Sequence, residues 1–279
     1  MVPYSQISQG PIMGIRDWIN GLRRRQVPLE NLDTDQQIAR WQKALSDFGY
    51  PYDLVSGSAV EDAFSLAKSA GDRDGFVPVV LVPGHWNSGR RTPDARCKRA
   101  RELLQDVGDG RQFLTDGLLA MYGDLEIDPE NPEPDQFDKL EPKESEVVPT
   151  GLSIAKRYVV EERRQRPWDK VAIVRVPAAS SEELPVYFEW GGWNAVPSPE
   201  TIVAVARHWR QTYGSELVAM GPDLLEFHVS RKPPDHAAAV ALLKEHYVFA
   251  PDSYEFHCEF LERSAAHLRA SPSWVFWWD

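Results

Sequence analysis

The side chains best able to do chemistry in this chain come singly rather than in sets. Glu226 and His228 lie two apart in an apolar run, so they would share one face of a strand while Phe227 takes the other. His246 follows Glu245 in a stretch of helical periodicity. Were that helix packed on the Glu226/His228 face, the three side chains could converge on a substrate or a metal ion. No HExxH helix and no Cys/His pair at zinc spacing accompanies them, so no metal is expected. His257 directly precedes Cys258, and helical neighbours diverge by about 100°, which keeps this histidine from serving as base to that thiol. Cys97 stands among Arg96, Lys98, Arg99 and Arg101, a setting that favours a thiolate and equally describes a basic helix surface.

A second group is built on backbone. Trp190-Gly-Gly-Trp-Asn194 precedes the helix start Ser198-Pro199-Glu200. Its glycines let backbone come close to a ligand, and the unpaired amides of the helix start suit an anion. A tight strand-to-helix turn needs the same residues. His85-Trp86-Asn87 lies in a loop after an apolar strand, a common place for functional residues. Gly-x-Ser-x-Gly, a phosphate loop and a dinucleotide fingerprint are all absent, and no cofactor is expected.

These residues depend on the elements around them. Ile15, Trp18, Ile19 and Leu22 predict a short helix over 11–26, and Ile38, Trp41 and Leu45 a second one reaching about Phe48. Val60, Phe64 and Ala67 have helical spacing, as do residues 94–121 apart from an interruption near Gly108-Asp-Gly110. Val77–Val82, Val171–Val176 and Val186–Trp190 read as strands. So do Leu217–Met220 and Leu224–Val229, joined by the turn Gly221-Pro-Asp223. Ser198 caps a helix ending at Gly214, and Asp235 caps another running to about Phe249. A last helix is expected over Ser253–Arg269, before an aromatic tail read as a plug of the core.

The chain has 279 residues and a net charge of −11. Ten acids against two lysines between Asp124 and Glu146 supply −8 of it, in a segment that also holds several prolines. An acidic balance argues against nucleic acid as a partner and suits a basic protein. No apolar run approaches the length needed to cross a bilayer, so no membrane partner is expected. Two cysteines and a start without a leader pattern set the expectation of a cytoplasmic protein.

From about Pro185 onward the chain resembles a bacterial family known only as domain of unknown function 4253. The resemblance rests on Trp190-Gly-Gly-Trp-Asn194 with Pro197, Arg207 and Trp209, Tyr213-Gly214 with Glu216, Arg231 with Pro233-Pro234, Ala241 with Glu245 and Tyr247, Asp252, and Phe276-Trp-Trp-Asp279. It covers about a third of the chain and implies kinship of fold without an activity. Where this chain has Val196 and Ala250, the family often has cysteine, so any chemistry of that thiol pair is missing here.

The expected fold is α+β, a mainly antiparallel sheet with helices packed on one face. The expected organisation is a mostly helical region 1–122 with one strand, an acidic Pro-rich loop or linker 123–150, and an α+β domain 151–279. The leading functional expectation is a non-enzymatic module binding a basic protein, of which a toxin-neutralising immunity protein is one concrete form. The alternative is a small-molecule enzyme or ligand-binding protein, its pocket formed by Trp190, Trp193, Asn194, Glu226, His228 and His246.

Overall fold

The structure, a computed structural model, describes residues 34–84, 86–89, 91–122, 152, 154–155, 170–255 and 265–278. The expected helix over 11–26, the acidic segment, His85, His257-Cys258 and Asp279 lie outside these residues. In chain order the elements are α1 (Thr34–Phe48), β1 (Tyr52–Ser56), α2 (Val60–Asp74), β2 (Val77–Leu81), α3 (Pro93–Leu103), α4 (Gly110–Tyr122), β3 (Lys170–Val176), α5 (Leu184–Phe188), α6 (Pro199–Tyr213), β4 (Ser215–Met220), β5 (Leu224–Val229), α7 (His236–Phe249), α8 (Asp252–Glu255), α9 (Ala265–Ala270) and β6 (Ser273–Trp277).

The run Val79-Val-Leu-Val82 is buried on both sides, which suits a central strand. β2 accordingly lies inside one six-stranded sheet of order β1-β3-β2-β4-β5-β6. Every pairing is antiparallel except β2 with β4. The fold is therefore α+β, as expected, but the two halves of the chain interleave within it. Among the described residues the first 122 contribute two strands, β1 and β2, to the same sheet as β3–β6.

Side-chain alternation gives the sheet two apolar faces. Val79, Leu81, Ala172, Val174, Leu225 and Phe227 belong to the larger core, which also takes in buried residues of α1 and α3–α7. Val80, Val82, Val171, Ile173 and Val275 belong to a smaller one, covered by α2 and by Leu152, Ile154 and Ala155. Helices thus cover both faces, unequally. A bulge between Leu217 and Ala219 shifts the β4 register against β5.

One expected strand is a helix. Leu184–Phe188 forms α5, with Pro185 at its start and all five side chains buried. A short run without polar residues shows neither two-fold nor helical periodicity, so its type is decided by the space it fills. The helix starts read from local chemistry do hold. Ser198 Oγ accepts from the Thr201 amide at 3.3 Å, and Asp235 Oδ1 accepts from the Ala238 amide at 2.8 Å. Gly214 ends α6 in a left-handed conformation. Arg231 donates to the carbonyls of Arg210, Gln211 and Thr212, covering the negative end of that helix.

The aromatic terminus is strand β6. Trp274 faces Phe227 and Phe276 faces Leu225 across the β5–β6 ladder. Trp274, Phe276 and Trp278 are at most 1% exposed, so the tail completes the larger core.

Candidate functional site

The expected convergence of Glu226, His228 and His246 does not occur. Leu225 and Phe227 point into the larger core, so Glu226 and His228 take the opposite face of β5. α7 packs against the Phe227 face, where His246 lies 4.7 Å from the Trp274 ring and 5.0 Å from the Trp209 ring. The sheet itself stands between the two sets. Glu226 is fully buried and its carboxylate accepts from Ser273 Oγ at 2.7 Å and from the Ile154 amide at 2.9 Å, which ties residue 154 to the sheet. His228 is exposed. His246 is buried, and loss of hydration lowers its pKa to about 3, so it is a neutral core ring at ordinary pH. Among the described residues no group of three or more His, Cys, Asp or Glu is placed to hold a metal ion.

A different constellation forms at the carboxyl ends of β2 and β4. These are the sheet's parallel pair, and crevices at such strand ends are common ligand sites. The pairing continues one step past β2, where the Val82 amide donates to Met220 O at 3.1 Å. Each strand end carries an indole. Trp86 Nε1 donates to Val82 O at 2.9 Å, and Trp190 Nε1 donates to Gly221 O at 2.8 Å. Tryptophan leaves its N–H unpaired in a core only at a cost, so these two bonds fix where the rings lie. Phe188 ends α5 between them, its ring 6.3 Å from that of Trp86. Trp193 closes the far side, its ring 4.9 Å from Trp190 at an interplanar angle of 74°.

These rings, with Asn87, Glu189 and Pro222, line an open cleft of about 300 Å³. Glu189 is the charged side chain of its lining. It follows α5 in the left-handed conformation, φ +51°, where glycine is the usual residue. Its carboxylate pairs with Arg91, and Arg96 Nη1 lies 3.7 Å away. Arg96 is itself buried, with its guanidinium 5.0 Å from the Phe48 ring centre and a hydrogen bond to Ser88 O. Glu189 Oε1 is buried and accepts no hydrogen bond among the described residues. Nearby, the hydrogen bond from Lys43 holds the Asp47 carboxyl below its ordinary pKa.

Of the residues expected to form a pocket, Trp190 and Trp193 line this one. Asn194 is exposed at the turn, with φ +47°, and is not part of the lining. Trp86 and Asn87 carry the loop signal read after the first apolar strand. Phe188 and Glu189 gave no such signal, because the expected strand Val186–Trp190 would have placed them on opposite faces. Cys97 is half-buried against the larger core, near Tyr50. Burial pushes the Tyr50 hydroxyl well above its ordinary pKa, and it donates to Tyr187 O at 3.1 Å.

A smaller cleft of about 130 Å³ lies near the opposite ends of β2 and β4, beside Lys68 and Arg210. Both cations are already paired, Lys68 with Glu216 and Arg210 with Glu182.

Residues 172–279 match the family model of a domain of unknown function, DUF4253. The match runs from within β3 through β6 and includes Phe188, Glu189, Trp190, Trp193 and Pro222, whereas Trp86 and Asn87 precede it. No curated protein and no solved structure matches the chain.

Proposed function

We propose that this protein is a binding module whose recognition element is the aromatic pocket at the ends of β2 and β4. One observation carries the reading: two indoles are hydrogen-bonded to the carbonyls just past the ends of adjacent parallel strands, which holds the pocket walls in place before any ligand arrives. A preformed aromatic cavity with few polar groups is the usual form of a small-group binding site. Its volume of about 300 Å³ fits one small molecule or one side chain of a partner, not a folded segment.

A basic protein is the partner supported by charge. The net −11 favours encounter with a cationic surface, and the inserted group would then be one of its side chains. A cytoplasmic setting accords with this reading, and no helix among the described residues is long and apolar enough to cross a membrane.

Fluorine NMR of protein labelled with 5-fluorotryptophan checks the proposal against a fragment library. Supporting hits shift Trp86, Trp190 and Trp193 together and leave Trp41 unmoved. An absence of hits, or hits that shift only other tryptophans, would remove the pocket from consideration.

A further inference from the structure

We infer that the group received by this pocket is a fully alkylated ammonium, a trimethylammonium head, an inference that rests on the pocket being the recognition element. Three features of the cavity point to it. The first is shape. The Trp190 and Trp193 rings stand at 74° to each other and those of Trp86 and Phe188 at 54°, so the walls meet as corners instead of parallel slabs. A flat aromatic ligand wants parallel faces, whereas a near-spherical head fits a corner.

The second is the chemistry of the walls. Indole faces attract cations, and the attraction grows when water is excluded. Trp86 and Trp190 are both less than a tenth exposed, most of each ring being packed against Phe48, Phe188, Trp193 and Trp278, so only their edges at the cavity wall reach solvent. The third is the hydrogen-bonding inventory. A primary ammonium brings three N–H donors and a guanidinium five. The lining offers two polar side chains: Asn87 Oδ1 already accepts from the Gly89 amide, and the Glu189 carboxylate is engaged by Arg91 and Arg96. Methyl groups need no acceptor, so full alkylation matches what the walls provide.

Glu189 places a carboxylate at the wall. It is the charged group of the lining, and Arg91 and Arg96, neither of which lines the space, engage it from behind and offset its charge. The left-handed backbone at Glu189 gives the same indication. Glycine would sit there without strain, and a glutamate in its place keeps a carboxylate at the wall.

Choline and its neutral carbon isostere 3,3-dimethylbutan-1-ol separate charge from shape, with tryptophan fluorescence of the full chain as readout. Choline is expected to bind at least about tenfold more tightly than the isostere, a preference that declines with added salt. Glu189→Gln reduces that preference toward one. Should this variant fail to fold, Trp193→Ala, at a half-exposed ring, weakens choline binding instead. A pentapeptide carrying trimethyllysine distinguishes the source: tighter binding than choline assigns a partner side chain, and equal or weaker binding a small molecule. Equal affinity for choline and its isostere overturns the cation while keeping the pocket. Absence of choline binding overturns the cation too, and the fluorine screen then decides whether the pocket survives.

Discussion

Glu245 Oε2 accepts a hydrogen bond from Trp209 Nε1 at 2.8 Å. Trp209 is fully buried, stacked on Phe276 at 5.3 Å and edge-on to Phe227, Phe249 and Trp274. The other Glu245 oxygen lies 3.6 Å from His208 Nε2 at the half-buried rim. One carboxylate thus terminates the polar edge of an otherwise apolar cluster. Replacing it leaves a buried indole N–H without a partner, which costs about 1–3 kcal/mol. Glu245→Ala is expected to lower the urea midpoint accordingly, with an unchanged dependence on denaturant. An unmoved midpoint would mean that another acceptor takes over the indole.

His246 gives the fold an acid sensitivity. Burial lowers its pKa from 6.5 to about 3, so the unfolded chain takes up a proton near pH 6.5 and the folded chain does not. Stability from this group is complete above pH 6.5 and declines as pH falls toward 3, by about 1.4 kcal/mol per pH unit. His246→Phe removes the titration and keeps a ring among Trp209, Trp274 and Phe276. Denaturant unfolding between pH 7 and pH 5 is expected to show a shallower pH dependence in the variant. Parallel curves would place a proton on the folded histidine.

Local chemistry was legible in the sequence and tertiary placement was not. Ser198, Gly214 and Asp235 act through backbone groups within a few residues, so a reader of the sequence finds their helix ends directly. α5 and the pocket were hidden for one shared reason. Leu184–Phe188 is apolar throughout, and only the packed molecule shows that it coils and leaves Glu189 beside Trp190. Strand alternation correctly put Glu226 and His228 on one face. Which face α7 covers depends on the crossing from β5, and no residue spacing encodes that. The position of β2 between β3 and β4 is likewise a long-range choice. Its signature was the double-sided burial of Val79–Val82, a run that reads equally well as a strand of a separate N-terminal domain.

The terminus carries more of the fold than its length suggests. β6 pairs with β5 on the side away from β4, and Ser253 Oγ and Asp223 hold Trp277 through hydrogen bonds of 2.7–3.1 Å. Removing residues 274–279 deletes three buried aromatic side chains, each worth about 3–5 kcal/mol. That sum is comparable with the whole stability of a typical domain. The truncated chain is expected to be unfolded or aggregated, with rapid loss to protease under conditions where the full chain resists. A cooperative thermal transition in the truncated protein would show that the core closes without β6.

The paired glycines that shape the pocket rim differ in what surrounds them. Both have left-handed backbone, φ +120° at Gly191 and +80° at Gly192. A methyl group at Gly191 would come within 2.5 Å of Pro197 O and 2.8 Å of Ile202 Cδ1, whereas at Gly192 it would meet open space. Gly192→Ala therefore costs the backbone conformation alone, about 1–2 kcal/mol. Gly191→Ala adds a collision with backbone that cannot yield without shifting the turn. Because that turn holds Trp193 against Trp190, Gly191→Ala is expected to be the less stable variant and to displace the Trp193 ring. Thermal unfolding ranks the two, and the fluorine resonance of labelled Trp193 reports the displacement. Equal melting points with an unmoved Trp193 signal would show that the rim adapts, and the pocket wall would then not be fixed in advance of a ligand.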